Sequence, residues 1–269
     1  MGDIGVIGAG NMGAALVRGL VRSGQTPADA IAVFDVDAEK VRSLERELGV
    51  KGCSQVHDVV APNTESILLA VKPQIMGDVL DSIASCIHPG LLVISIAAGI
   101  STAFMLSRLT EKARIIRVMP NAAAMVGESA SAVCRGGAAD DRDLEKALRI
   151  FSAVGTAVVV DEKAMNAVTA LSGSGPGYVF LVMEAMTDAG VYMGLDRPTA
   201  RALTVQTLLG AGKLAAAGNT PFCELKDRIT SPAGTTISGL QVLERSGVRG
   251  IFMEAIAAAS RRAYELDSV

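Results

Sequence analysis

Gly8-Ala9-Gly10-Asn11-Met12-Gly13 is the stretch that decides the fold of the first half of this chain. An apolar run that includes Ile4 and Ile7 precedes it, and apolar residues at 14–20 follow it at helical spacing. This context predicts strand, tight turn and helix, with glycines that allow the turn, let the backbone approach a pyrophosphate and let the helix pack close to the strand. The phosphates would lie on free N–H groups near Asn11, and the alternative is a structural glycine-rich turn of another α/β protein.

A second apolar run agrees with a dinucleotide site. It extends from Ala30 to Phe34 and ends in Asp35, which lies 22 residues after Gly13. An acidic side chain at this strand end accepts hydrogen bonds from the adenosine ribose hydroxyls. We therefore expect Asp35 to contact the cofactor.

Composition narrows the class of partner. The 269 residues carry a formal net charge of −3, no Trp and few aromatic residues, which argues against nucleic acid and favours a small molecule. The four cysteines lie far apart without a CxxC pair, so we expect no metal site, no disulfides, and buried or half-buried thiols. No apolar run reaches the ~20 residues that span a bilayer, and no signal-peptide pattern is present, which predicts a soluble cytoplasmic protein.

Strand-like runs alternate with helical patterns over the first 160 residues. The runs occupy 3–7, 30–34, 66–71, 91–96, 114–118 and 156–160, with helical patterns such as 38–48 and 74–86 between them. This alternation predicts a Rossmann-type, doubly wound, mostly parallel sheet with ligands at the carboxyl ends of its strands. Those ends carry Asp35, Ala70-Val71-Lys72-Pro73, Ser95-Ile96-Ala97-Ala98-Gly99 and Met119-Pro120-Asn121.

Two of these strand ends suggest contacts with the cofactor. Lys72-Pro73 puts a cation and a rigid turn where a ribose or phosphate would lie, although a solvated lysine in a helix-initiating turn has the same pattern. The small residues at 97–99 would let a flat ring pass close to the backbone, or they form an ordinary turn.

After Val160 the strand pattern stops, which predicts a dinucleotide-binding domain at 1–161 and an all-α domain at 162–269. Breaks at 172–177, 194–198, 218–221 and 231–236 separate the helices. The stretches 178–193 and 201–217 carry few charges and are apolar on more than one face, so they need partners on both sides. We expect this half to pack against a second copy of itself.

A dinucleotide domain followed by a helical domain predicts hydride transfer. The two histidines, His57 and His88, lie in segments with the pattern of surface connections, so neither is marked as a catalytic acid. A C=N substrate that carries its own proton would need only to be bound and oriented. Gly234, Thr235 and Thr236 precede a helix whose free N–H groups would hold a carboxylate, whereas the alternative is an N-cap after a Ser-Pro turn.

Longer motifs occur along essentially the whole chain. They are Ala70-Val71-Lys72-Pro73, the stretches 95–99, 119–121 and 172–180, Leu225-Lys226-Asp227, and Ser231-Pro232-Ala233-Gly234-Thr235-Thr236-Ile237. Together they resemble the pyrroline-5-carboxylate reductase family, and the last two are specific in combination. The resemblance implies reduction of 1-pyrroline-5-carboxylate to L-proline by NADPH or NADH, the last step of proline synthesis.

The resemblance also implies roles for single residues. Thr236 would be catalytic, with its hydroxyl beside the ring nitrogen, and the substrate-binding residues would be Glu162, Ser174, Gly234, Thr235 and Thr236. The cofactor-binding positions, which include strand-end residues named above, would be Gly8, Ala9, Gly10, Asn11, Met12, Gly13, Asp35, Ala70, Val71, Lys72, Pro73, Ile96, Ala98 and Asn121. The helical half would form a homodimer that can assemble further.

Three positions depart from the family pattern. Ala233 replaces a usual glycine, which is tolerable if its φ stays negative, and Gly177 replaces a usual alanine. Asp35-Val36-Asp37 puts two carboxylates where the 2′-phosphate of NADPH would lie, with no arginine adjacent. Like-charge repulsion therefore favours NADH.

Two other functions stay open at this point. A β-hydroxyacid dehydrogenase shares the predicted architecture, but its helix lysine is missing from 164–168 unless Lys163 replaces it. A catalytically silent dinucleotide-binding sensor would have no use for the threonine-containing loop. Turnover of pyrroline-5-carboxylate would separate these functions from the reductase.

Overall fold

The computed structural model describes residues 3–267, which belong to two compact units. The first unit holds the chain through Ser174 together with the segment from Ala259 onward, and the second holds Gly175–Ala258. The predicted domain boundary at residue 161 rests on a change in sequence pattern and not on compact units, so it stays a prediction.

A mixed sheet forms the centre of the first unit. Within residues 3–267 its strands are β1 (Asp3–Ile7), β2 (Ile31–Phe34), β3 (Lys51–Gly52), β4 (Thr64–Leu69), β5 (Leu92–Ser95), β6 (Arg114–Met119), β7 (Ser129–Gly137) and β8 (Gly155–Val159). They lie in the order β3-β2-β1-β4-β5-β6-β7-β8, and the described neighbours are parallel except for β6 and β7. The predicted doubly wound, mostly parallel sheet is confirmed.

The sequence pattern misses β3 and β7. Strand β7 reads Ser-Ala-Ser-Ala-Val-Cys-Arg-Gly-Gly and has too few large apolar residues to resemble a buried strand. It runs through the core because its hydroxyl groups are satisfied there: Ser129 and Ser131 share a hydrogen bond of 3.0 Å, and Ser129 accepts one from the Asn121 N–H.

Helices cover both faces of the sheet. They are α1 (Asn11–Arg22), α2 (Ala38–Leu48), α3 (Met76–Ile83), α4 (Thr102–Arg108) and α5 (Asp141–Ser152). Helices α1, α2 and α5 pack into one core cluster through Leu16, Leu44 and Phe151. Helices α3 and α4 pack into another through Leu80 and Met105. The predicted helix over 38–48 has the bounds of α2.

The rest of the chain, as far as Asp267, is mostly helical, as predicted. A short helix α6 (Met165–Val168) leads into a π-helical segment Thr169–Gly173, followed by α7 (Gly175–Tyr192), α8 (Arg197–Ala216), α9 (Phe222–Arg228), α10 (Thr235–Arg245) and α11 (Val248–Asp267). The predicted breaks at 194–198, 218–221 and 231–236 overlap the observed interruptions, although α8 already begins at Arg197 and α10 at Thr235. The break at 172–177 is wrong as a loop, because the π-helical hydrogen bonding continues to Gly173 and α7 begins at Gly175.

The four cysteines differ in exposure, which tests the expectation that all are buried or half-buried. Cys53 and Cys86 are half-buried and Cys134 is buried, but Cys223 is exposed in the first turn of α9, so the prediction is wrong for that residue. Burial raises the pKa of the Cys134 thiol to about 12.

Between residues 3 and 267 no helix is both long and apolar enough to cross a membrane.

Candidate active site

The glycine turn has room for a ligand at one position and none for side chains at two others. Gly8 has φ +104°, and a Cβ there would lie 2.6 Å from the Ala70 carbonyl oxygen. A Cβ on Gly13 would collide with the Gly8 carbonyl oxygen. Gly10, in contrast, has no neighbouring atom within 4 Å of an added Cβ. Close packing on one side and open space on the other is the arrangement that a pyrophosphate needs.

Five parallel strands end side by side around this turn. The N–H groups of Gly8, Ala70 and Ile96 each donate to the neighbouring strand's last carbonyl, over 2.8, 2.8 and 3.1 Å. These bonds align the ends of β2, β1, β4 and β5, and β6 follows next in the sheet. We call this row the carboxyl edge. It brings together the predicted cofactor-binding segments that follow each strand.

Asp35 holds the glycine turn in place. Its Oδ2 accepts a 2.7 Å hydrogen bond from the Ala9 N–H, and its Oδ1 accepts a 2.8 Å bond from the Asp37 N–H. Each carboxylate oxygen retains a lone pair, so the group can also accept from a ribose hydroxyl. Asp35 therefore ties the end of β2 to the turn after β1.

The start of α2 carries a compensated charge. Asp37 is the N-cap and accepts a hydrogen bond from the Glu39 N–H, while Lys40 Nζ lies 3.5 Å from Asp37 Oδ2. Both side chains are about half exposed. A ligand group that extends past Asp35 toward the start of α2 would therefore lie near both the Asp37 carboxylate and the Lys40 ammonium group.

A cavity of about 560 Å³ begins at the glycine turn. Its walls include Gly10 and Asn11 and, further along α1 and α2, the cations Arg18, Arg22 and Lys40. The first described main-chain bond of α1 joins the Ala14 N–H to the Gly10 carbonyl, so the N–H groups before Ala14 lack intrahelical partners. These N–H donors fit the pyrophosphate of a dinucleotide, whereas Arg18 and Arg22 lie toward the C-terminal end of α1 and Arg18 is paired with Glu47 over 2.7 Å.

The other predicted cofactor residues differ in their availability. Lys72 is exposed before the 3₁₀ turn Pro73–Ile75, Ile96 is half-buried, and Ala98 is exposed. The buried Asn121 side chain is already used within the protein: it donates to the Ser172 carbonyl over 3.0 Å and accepts from the Ala123 N–H. Its amide therefore shapes the end of β6.

The threonine loop, Ser231–Thr236, ends in an uncapped helix start. Gly234 is the N-cap of α10 and has no side chain to satisfy the first N–H groups, while Thr236 is half-buried. A Cβ on Gly234 would collide with the Ser231 hydroxyl oxygen. Ala233 has φ +58°, so the condition of a negative φ is not met, and the loop holds an alanine in the left-handed region.

Glu162 and Ser174 lie in the first unit, whereas Gly234–Thr236 lie in the second. The Glu162 carboxylate accepts a 2.7 Å hydrogen bond from the Thr102 N–H and another from the Thr102 hydroxyl, and it lies 3.4 Å from Arg117. The Ser174 N–H donates to the Thr169 carbonyl over 2.8 Å. Sequence motifs do not single out Thr102 or Arg117, but a charged residue inside the apolar strand β6 is itself a signal.

Both histidines of the sequence lie away from the carboxyl edge. His57 is exposed in the 3₁₀ turn Val56–Val59, which precedes β4. His88 precedes β5, and its Nδ1 accepts a hydrogen bond from the Gly90 N–H. His88 therefore lies at the opposite edge of the sheet, and His57 lies in the crossover between β3 and β4, so neither imidazole belongs to the strand-end segments that form the carboxyl edge.

Comparisons with known proteins match both halves of the chain. A family model described as pyrroline-5-carboxylate reductase dimerisation matches residues 162–266, and one described as NADP oxidoreductase coenzyme F420-dependent matches residues 3–99. Pyrroline-5-carboxylate reductases of Methanosarcina acetivorans and Pseudomonas aeruginosa are 46% and 40% identical, over 98% of this chain and 97% and 96% of their own lengths.

Solved structures agree with the sequence matches. A pyrroline-5-carboxylate reductase from Coxiella burnetii superposes with a TM-score of 0.95 at 35% identity, covering 98% of both chains. A Plasmodium falciparum pyrroline carboxylate reductase with NADP bound has a TM-score of 0.86 at 29% identity, also over 98% of both chains.

Proposed function

The chain belongs to the pyrroline-5-carboxylate reductase family, and from this we propose how its own residues divide the work of the reaction. The family reduces the C=N bond of the cyclic imine 1-pyrroline-5-carboxylate with a nicotinamide cofactor, which completes proline biosynthesis. The observation that carries the proposal is the alignment of the glycine turn, Asp35 and the ends of β4 and β5 along one edge.

The carboxyl edge binds the cofactor. Free N–H groups at the start of α1 hold the pyrophosphate, Asp35 accepts from the adenosine ribose, and the segments around Lys72 and Ile96 line the remaining length. Reduced nicotinamide supplies the hydride when it is bound. Asn121 contributes through shape, because its amide is occupied by Ser172 and Ala123.

The threonine loop binds the substrate. Its uncapped N–H groups, at Thr235 and Thr236, suit a carboxylate, and the positive end of the α10 dipole favours an anion there. The Thr236 hydroxyl hydrogen-bonds the ring nitrogen and fixes the face of the imine. No protein acid is required at that atom, because the iminium carries its own proton into the reaction. Both histidines lie away from the carboxyl edge, in agreement with this mechanism.

Glu162 and Ser174 act on the substrate site indirectly in this proposal. The Glu162 carboxylate is engaged by Thr102 and Arg117, and Ser174 closes the π-helical segment through its N–H. Their proposed contribution is confined to the first unit, where they hold Thr102 and the π-helical segment in place.

NADH is the preferred cofactor in this proposal, since Asp35 and Asp37 both face the place of a 2′-phosphate. Lys40 offsets part of that repulsion through its 3.5 Å contact with Asp37, so the preference should be moderate. The active form is a homodimer or an assembly of dimers, because exposed apolar side chains such as Phe180, Leu203 and Met253 need a second copy to cover them. We also propose that the protein acts in the cytoplasm on a small molecule, without nucleic acid or membrane.

Replacing Thr236 tests the mechanism. Thr236→Ala should lower kcat with pyrroline-5-carboxylate by about 10- to 100-fold, which corresponds to the ~1.5–3 kcal/mol of one hydrogen bond to a charged group. Thr236→Ser should recover most of the rate because it keeps the hydroxyl. NADH oxidation is followed by absorbance, with the dissociation constant for NADH measured separately. An unchanged kcat would remove Thr236 from the mechanism, and a wild-type enzyme that binds NADH without turning over the imine would refute the proposed reaction.

A further inference from the structure

A partly buried charge cluster lies beside the nicotinamide end of the carboxyl edge, and the proposed mechanism gives no role to two of its members, Arg117 and Asp267. Its centre is Arg117 of β6, which is 3% exposed and lies between Ser95 of β5 and Cys134 of β7 in the sheet register. The Arg117 guanidinium lies 3.1 Å from Asp267 and 3.4 Å from Glu162. We call Thr102, Arg117, Glu162 and Asp267 the Arg117 cluster.

The cluster brackets one turn of the carboxyl edge. Residues 96–101 connect β5 to α4, and the Ile96 N–H fixes their start by its bond to the Leu69 carbonyl. At their end, Glu162 accepts both the N–H and the hydroxyl of Thr102. In their middle, Gly99 has φ +72°, and a Cβ there would be within 3.6 Å of Leu266, the residue before Asp267. We call residues 96–101 the Gly99 turn.

We propose that Arg117 and Asp267 are positioning residues for the Gly99 turn and thereby for the nicotinamide end of the cofactor. This inference rests on the proposed cofactor edge, in which the Ile96–Ala98 segment contacts the cofactor. Arg117 neutralises two carboxylates that would otherwise repel each other: Asp267, which carries the last turn of α11 onto Gly99, and Glu162, which holds Thr102. The turn therefore keeps its place only while all three charges are present.

The cluster touches one end of the cofactor site only. The glycine turn follows β1 and Asp35 follows β2, and their hydrogen bonds involve no member of the Arg117 cluster in the described residues. Loss of Asp267 should therefore misplace the nicotinamide and leave the adenosine end intact.

Asp267→Asn tests this separation, because it removes one charge while keeping size and shape. We expect about a tenfold lower kcat and a several-fold higher dissociation constant for NADH, since a small misplacement of reacting groups has effects of this size. The dissociation constant for ADP-ribose, which lacks the nicotinamide, should stay within about twofold. Asp267→Glu should recover part of the loss. Asp141→Asn is the matched control, because Asp141 pairs with Arg135 at the surface over 2.7 Å.

Hydrogen exchange of residues 96–102 supplies a second measurement that does not depend on turnover. It should become faster in Asp267→Asn, while exchange of residues 8–14 should not change. A lower melting temperature with unchanged kinetic constants would assign the cluster a purely structural role and overturn the inference. Equal weakening of NADH and ADP-ribose would also overturn it. Wild-type protein that bound neither ligand would refute the proposed cofactor edge itself, together with this inference.

Discussion

Asp37→Asn should improve the use of NADPH without affecting NADH. Asn is as good an N-cap as Asp, so the start of α2 should be unchanged. The substitution removes one negative charge beside the proposed place of the 2′-phosphate and frees Lys40, whose exposed contact with Asp37 stabilises little by itself.

The size of the effect follows from the charges. For a phosphate of charge about −1.5 to −2 at roughly 7 Å from the carboxylate, in solvent of effective dielectric constant ~40–80, screening leaves about 0.5–1 kcal/mol of repulsion. Its removal should lower the KM for NADPH about two- to fivefold. NADH has a neutral hydroxyl at the same position, so its KM should stay within experimental error.

The assay is imine-dependent oxidation of each cofactor, measured at several salt concentrations. The gain with NADPH should shrink as salt rises, because the carboxylate is exposed and screened. Asp81→Asn is the control, since it removes one exposed carboxylate, paired with Arg108, from the more distant helix α3. An unchanged KM for NADPH, or an equal change for both cofactors, would refute the electrostatic argument for cofactor preference.

Three further substitutions test individual features. Gly8→Ala should abolish dinucleotide binding and destabilise the fold by more than about 2 kcal/mol, because φ is +104° and the Cβ would press on the Ala70 carbonyl; calorimetry and NADH titration measure both. Ala233→Gly should raise stability by about 0.5 kcal/mol, since relief of about 1 kcal/mol of left-handed strain exceeds the added chain entropy, and a lower melting temperature would contradict this. Burial opposes ionisation of Asp143, but hydrogen bonds from Arg114 outweigh burial and lower the pKa of Asp143. The stability that the Asp143 carboxylate contributes is therefore present above about pH 4 and lost in acid. Asp143→Asn should cost about 1–3 kcal/mol at pH 7 and less below pH 4; a pH-independent difference in unfolding free energy would exclude this linkage.

The parts of the fold that depend on local signals could be predicted from the sequence. The glycine turn, Asp35 and α2 all follow from residues within one strand-turn-helix unit, and the structure has them where the pattern indicates. Strand β7 could not be predicted, because its small polar residues are buried through partners such as Asn121, which lies outside the strand itself.

The site shows the same division. The motif residues that follow each strand come together at the carboxyl edge because parallel strands align their ends. The internal use of Asn121 and the bonds of Glu162 could not be predicted, since their partners Ser172 and Thr102 lie 51 and 60 residues away along the chain. Ala233 shows a further limit: its residue type gives no sign of the φ of +58° that the loop imposes.

The two hydrogen bonds accepted by Asp35 restrict which substitutions could change the cofactor preference of this protein during evolution. A substitution at Asp35 changes the charge that a 2′-phosphate would meet, but it also releases the Ala9 N–H and loosens the glycine turn. Val36 is 90% exposed and Asp37 needs only a capping oxygen, so both can vary with little structural consequence. An evolutionary path from one cofactor to the other should therefore pass through positions 36 and 37 first, with Asp35 replaced late or not at all.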